Sequence, residues 1–443
     1  MRLFILSFFA VILALSAAIA EPKERSSPLR RWVSGFSHRI WAGPIVDAPV
    51  IFPRPAAPHL ASSADDRFHL HGEAHRIRDR MAVLGALDHA HEVLLRLGFS
   101  PPIPDGGRGG TQGFDLYFVD EPIGAEARSD GLDPLASLDA AMAYGVVGND
   151  VPPRLIPACV VDAYAQAALL GLDPAESPRI RRALSAFITY QTLGIAGCED
   201  AIDAWQFAPE EGPFSESLHE GAGGVLFLLV LDARWGGEGR IPAEVLSLAR
   251  QLTWDGSSLR ASPDFWEALE AIAQAKQDRF ADLLVGLAID RLFTGEYAAR
   301  PELRSIPAPH AFRRGRPRMY SFHTGASPRG VAPGGAIHAE FRLEGLEEGD
   351  ALNCWVDGEF GFQFTLAALA FDEENRELRR FVSPPGGSNH RAFVPFIVPE
   401  GAHRIRLIGI SLGFERPDED LPPPVARRAR FILERPEQAR AEP

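Results

Sequence analysis

The hydrophobic pattern of this chain changes period once, and that change limits the architectures open to it. Through residues 76–293 apolar side chains recur mainly every three or four positions, whereas beyond Met319 they alternate with polar ones. Residues three and four apart share one side of a helix, and residues two apart share one face of a strand. The chain is therefore expected to be a multidomain α+β protein, mainly helical first and an all-β sandwich second.

In residues 64–300, the stretch 76–97 places Ile77, Met81, Leu84, Leu87, Val93, Leu94 and Leu97 at helical spacing. Gly98 suits its C-cap, and Pro101-Pro102 follow. A second helix is expected over 156–171. A third starts at Ser177-Pro178, with proline at the first helical position. Further helices are expected over 216–234, 241–254, 263–277 and 279–293. Phe68-His69-Leu70-His71 and residues 114–119 read as strands. A helical-repeat scaffold that binds proteins is the rival arrangement, although no repeat of fixed period is present. After a linker at 301–316, residues 317–434 carry alternating runs at 336–343, 353–356, 361–371, 393–398 and 403–410, separated by Gly/Pro turns, which is the pattern of a sandwich. Residues 21–63, rich in Pro, Arg and Ser, read as an extended surface leader, and 435–443 as a disordered tail.

The first 20 residues have one charge, Arg2, an apolar run and then Ala18-Ile19-Ala20 before a polar turn at Glu21. That is the pattern of a cleaved signal peptide, so a secreted or periplasmic location is expected. No later stretch is expected to span a bilayer. A net charge of −14 argues against nucleic acid as a partner, since phosphate binding needs a basic face. An unknown protein or an envelope or extracellular ligand is the expected partner. Cys159 and Cys198 lie 39 residues apart in one expected domain and are predicted to pair; the other reading keeps all three cysteines as buried thiols. Cys354, in a strand, is expected to be buried.

Candidate chemistry is sparse. His219-Glu220 is the first half of a zinc-peptidase motif, but position 223 is Gly, where the second histidine belongs. The plainer reading is a polar pair on a helix. His69 and His71 share a strand face and are candidate metal ligands, the plainer reading being a solvated strand edge. His89 and His91 point different ways on their helix. Asp115, Asp120, Asp139 and Asp162 are carboxylates from which a glycosidase pair could be drawn. No serine has a G-x-S-x-G context, and the glycines of 106–113 precede a strand, so they form a turn and not a phosphate cradle.

One longer pattern joins several of these segments. Phe68-His69-Leu70-His71, a helix ending Leu97-Gly98-Phe99, the turn Pro101-Pro102-Ile103-Pro104-Asp105 and the strand Phe114-Asp115-Leu116-Tyr117 together resemble the opening of secreted bacterial zinc-metalloprotease-like proteins. The resemblance implies a zincin-like domain followed by a small β-sandwich. Its zinc helix, H-E-x-x-H-x-x-Q, falls on Cys159-Val160-Val161-Asp162-Ala163-Tyr164-Ala165-Gln166. Gln166 matches the trailing glutamine, but the histidine positions hold Cys159 and Ala163 and the glutamate position holds Val160. The resemblance thus implies a degenerate domain without a catalytic metal, in which a Cys159–Cys198 bridge ties the former zinc helix to the end of the next. The expected function is non-catalytic: binding, or an envelope or extracellular structural role, with no cofactor. The alternative is a secreted hydrolase with an unrecognised site near His219 and Glu220, with zinc as its cofactor.

Overall fold

Alternation in Phe68-His69-Leu70-His71 becomes strand β2 (Phe68–His71) of a five-stranded sheet, in a computed structural model of the chain. The structure describes residues 49–436 apart from 74–79, 137, 200–201, 214–221, 251–258, 260–263, 299–300, 305, 307–312, 316–319, 324–329, 385–389, 415–425 and 427–428. The expected signal peptide, the leader up to residue 48, and His219 and Glu220 lie outside the described residues.

The sheet runs in the order β1 (His59–Ser62), β2, β3 (Phe114–Phe118), β5 (Ala141–Val147), β4 (Ala125–Leu132). Strands β2, β3 and β5 are parallel, and an antiparallel strand closes each edge. Helix α1 (Arg80–Leu97) crosses between β2 and β3. It stops where expected: Gly98 takes φ 90°, and the Phe99 N–H caps the Leu94 carbonyl at 3.1 Å. Helices α2 (Ile156–Leu172) and α3 (Pro178–Leu193) follow β5. The Ser177 side chain caps α3 by accepting from Ile180 N–H at 3.3 Å, and Gly194 ends it at φ 73°. The remaining helices among the described residues are α4 (Ile202–Gln206), α5 (Ala222–Trp235), α6 (Ile241–Ala249), α7 (Phe265–Ala275) and α8 (Phe280–Asp290).

Residues Pro153–Leu172 form one helix long and apolar enough, by length and composition alone, to cross a membrane. Its apolarity has another cause. α2 is the central core helix, packed on the sheet on one side and on α1 and α3 on others, and Cys159, Val160, Val161 and Ala163 are fully buried. Gly145 of β5 permits the approach: a methyl there would stand 2.6 Å from a Leu116 methyl and 3.3 Å from Ala163 Cβ.

Two further sheets form the C-terminal part. One runs β11 (Glu377–Val382), β10 (Phe362–Phe371), β13 (Arg404–Phe414), β8 (Ala336–Arg342), β6 (Arg313–Gly315); the other runs β12 (Arg391–Ile397), β9 (Ala351–Gly358), β14 (Ala429–Glu434), β7 (Tyr320–His323). Their inner faces share a core containing Phe341, Val356, Leu407 and Phe431. The free Cys354 is buried there, and burial pushes its thiol pKa up. The outer face of the β10–β13–β8 sheet is also buried, since Leu369, Phe371, Ile408 and Ile410 join the core of the helices. At that junction Arg291 lies 3.5 Å over the Trp205 ring and donates to Gln206 Oε1 (2.7 Å) and to the backbone of Trp205, Ala208 and Pro209. Burial lowers its pKa to about 9.

Candidate functional site

Alternation along β2, β3 and β5 gives the five-stranded sheet two unlike faces. Phe68, Leu70, Phe114, Leu116 and Ala143 point into the core beneath α1, α2 and α3. His69 and His71, with their register partners Asp115 and Tyr117, point the other way, as do Tyr144 and Val146. That second face is covered by the Pro-rich segment 51–58. Ile51 bridges Ser129, the Phe52 N–H donates to the Ser129 carbonyl at 3.2 Å, and the Tyr144 hydroxyl donates to the Pro53 carbonyl at 3.0 Å. The leader expected on the surface is thus, over these residues, a strap across the sheet.

Arg54 anchors the strap. Its guanidinium donates to Asp105, Asp115 and Asp130, reaches the Tyr117 hydroxyl at 3.4 Å, and lies 5.0 Å over the Tyr144 ring. Its side chain is 13% exposed, and those of the three carboxylates are 4%, 0% and 6% exposed. Burial works against the charge on Arg54, but the bonds to Asp130, Tyr117 and Asp115 outweigh it and raise the pKa. Burial likewise opposes ionisation of Asp115; hydrogen bonds from His71 and Arg54 win and hold its pKa below the usual range. The loop over the cluster needs glycine at 109, where a Cβ would collide with Asp115 and Arg54. Asp105 holds this loop by accepting from Gly107 N–H (2.7 Å) and Gly109 N–H (3.2 Å).

The two candidate histidines are brought to this face, but not as a solvated edge: β1 covers β2, and His69 and His71 are buried. His69 bonds Ser62 Oγ and the Asp66 carbonyl, each at 2.9 Å. His71 Nε2 bonds Asp115 Oδ1 at 2.7 Å, and its ring stacks on Tyr117 at 4.5 Å. No group of three or more His, Cys, Asp or Glu side chains among the described residues is placed to hold a metal ion. Of the other carboxylates, Asp120 accepts from Asn149, and Asp162, buried on α2, accepts from Cys198 N–H at 3.2 Å.

On α2, Cys159 is bridged to Cys198 with the Cα atoms 4.2 Å apart, as the sequence predicted. Gln166 turns to the edge strand, accepting from Ala127 N–H and donating to the Ala125 carbonyl, each at 3.4 Å.

Between α2 and the strap cluster lies a cavity of about 430 Å³. Its lining includes Phe68, Phe114 and Tyr164, residues 101–105, and Arg54 and Asp115. The Tyr164 hydroxyl bonds His91 Nδ1 at 2.8 Å. Burial, helped by the charge of Arg67, lowers the His91 pKa, and burial raises that of Tyr164. Arg54 went unrecognised in the sequence, and His91 was set aside there because it points away from His89. A lone arginine among prolines gives no signal, and helical spacing does not show that His91 meets a tyrosine 73 positions on.

No protein-family model matches this chain, and no curated protein sequence does. Among solved structures, the pre-peptidase C-terminal domain of a collagenase from Bacillus anthracis is similar over 29% of this chain and 99% of that domain, at 9% identity and a TM-score of 0.20. The enzymatically active domain of tailspike protein 4 of bacteriophage CBA120 is similar over 24% of this chain and 15% of that one, at 13% identity and a TM-score of 0.17.

Proposed function

We propose that this chain is an exported, non-catalytic binding protein built on a zincin-like scaffold that has lost its metal. One observation carries the reading. The α2 positions where the resemblance calls for two imidazoles and a carboxylate hold a disulfide-bonded Cys159, Ala163 and Val160, each fully buried in the core. A thiol committed to a disulfide is no ligand, and alkyl groups neither coordinate a cation nor accept a proton. The succession of β2, α1 ending at Gly98, the connecting segment 101–105 and β3 supports the scaffold part of the reading, because those segments follow the quoted motifs in order. The Cys159–Cys198 bridge, which ties α2 to the end of α3, offers a covalent substitute for the tie a metal makes.

Metal analysis of protein purified without chelators tests this directly. The expected result is metal-free protein with no chelator-sensitive proteolysis of a general peptide library. Stoichiometric zinc, or proteolysis that a chelator abolishes and zinc restores, would overturn it.

A further inference from the structure

Two adjacent serines at the end of β1 are used in opposite ways. Ser63 Oγ is committed to its own turn: it accepts from the Arg67 and Phe68 N–H groups, each at 3.0 Å, and donates to Asp65 at 2.7 Å. Ser62 Oγ holds no backbone group among the described residues. Its partners are two imidazoles, His69 Nδ1 and His59 Nε2, each at 2.9 Å. Ser62 is half-buried on the edge strand of its sheet, and His59 is exposed. His69, behind them, is 3% exposed. A small reagent can therefore meet the serine while the imidazole behind it stays fixed.

The second nitrogen of His69 sets the direction of the proton. Nε2 lies 2.9 Å from the Asp66 carbonyl, which only accepts. In the neutral ring Nε2 therefore carries the hydrogen, and Nδ1 presents its lone pair. Ser62 is the register partner of His69 across β1 and β2, so its hydroxyl donates to Nδ1, and His59 Nε2 donates to the same oxygen. Glycine at 113 makes room for the ring in this position, since a Cβ there would stand 2.7 Å from His69 Cδ2. A hydroxyl bonded to a base, with the base oriented by a third group, is the arrangement in which an imidazole activates a serine.

We propose that Ser62 is a modification site: an activated nucleophile that takes an acyl group from a small activated ester or thioester. Ser62 Oγ attacks the acyl carbonyl carbon as its proton passes to His69 Nδ1. The tetrahedral adduct collapses with loss of the alkoxide or thiolate, which takes that proton from His69. An O-acyl serine and a neutral imidazole remain. The proposal goes beyond the binding reading above and rests on β1 and β2, not on α2. One acyl transfer per chain is not turnover, and zinc or its absence leaves the proposal unaltered.

Incubation of the full chain with p-nitrophenyl acetate provides the test. A burst of about one p-nitrophenolate per chain is expected, with the acetyl group mapped to Ser62 by peptide mass spectrometry. Ser62→Ala, which removes one oxygen from a half-buried side chain, is expected to abolish that burst. His69→Gln is expected to slow it about a hundredfold, the loss typical of a general base. Should His69→Gln fail to fold, Ser62→Cys serves instead. Its thiol is expected to react with iodoacetamide at neutral pH about fivefold or more faster than free cysteine, because the imidazole takes its proton. Cys354 is buried and Cys159 is bridged to Cys198, so neither competes. Absence of acetylation, acetyl groups only at other residues, a burst unchanged in folded His69→Gln, or a Ser62→Cys thiol no faster than free cysteine would each overturn the proposal.

Discussion

The two faces of the five-stranded sheet are made from the same strands and held by different forces. Phe68, Leu70 and Leu116, on the helix side, are fully buried in a large apolar core. One residue along each strand, Asp115 and Tyr117 meet a strap whose principal anchor is one guanidinium among three carboxylates, with His71 bonded to Asp115 beside it. Apolar burial is non-directional and tolerates rearrangement of its parts, whereas a buried ion cluster holds only when every partner is in place. The helix side should therefore lose stability in proportion to volume removed, and the strap side should fail locally and all at once.

Phe68→Ala breaks the comparison on the stronger side. A fully buried phenylalanine facing α1 and α2 is expected to cost about 3–5 kcal/mol in denaturant unfolding, with a lower midpoint for the whole sheet and helix layer. Arg54→Ala tests the other side. Removing the cation strands three buried carboxylates at a cost of about 3 kcal/mol, and segment 51–58 should become open to limited proteolysis while the Cys159–Cys198 core resists. If the strap remains protected, Arg54 is not its anchor. Cys159→Ala, whose bridge closes a 39-residue separation on the helix side, is expected to lower stability by about 2–4 kcal/mol without exposing the strap.

Acidity should separate the two sides by sign, the smallest of these effects. Asp115 has its pKa lowered by folding, so the stability it contributes is present above the unfolded value of about 3.9 and is lost as pH falls through the folded one. Strap protection, read by hydrogen exchange, should fade below about pH 4. In the helix layer, Glu176 accepts from Ser177 N–H (2.7 Å) and Phe265 N–H (2.8 Å). Burial, reinforced by the charge of Asp264, pushes its pKa up from 4.5 to about 7. A raised carboxyl leaves the folded state holding the extra proton, so the α2–α3–α7 junction should weaken as pH rises between those two values. Weakening of both regions in the same direction would remove the distinction.

Several elements were legible because local chemistry marks them. Gly98 ends a helix at positive φ, Ser177-Pro178 starts one, and alternation put Phe68 and Leu70 on one face with His69 and His71 on the other. Strands β4 and β5 were not foreseen. β5 reads Ala-Met-Ala-Tyr-Gly-Val-Val and is buried on both faces, so it shows no alternation, and β4 is a polar edge strand. The chain therefore holds a sheet within the part expected to be mainly helical.

Sequence alone settled the change from helical to alternating period and the absence of imidazoles and a glutamate at positions 159, 160 and 163 of α2, and it predicted the pairing of Cys159 with Cys198 that the structure shows. These depend on residue identity and short-range geometry. Only the tertiary structure brought Arg54 to Asp105, Asp115 and Asp130, at separations of 51, 61 and 76 residues, and opened a cavity beside them. Ion pairs of that reach leave no periodic trace, because chain crossing places the charges, and any of many arginines and aspartates could have met.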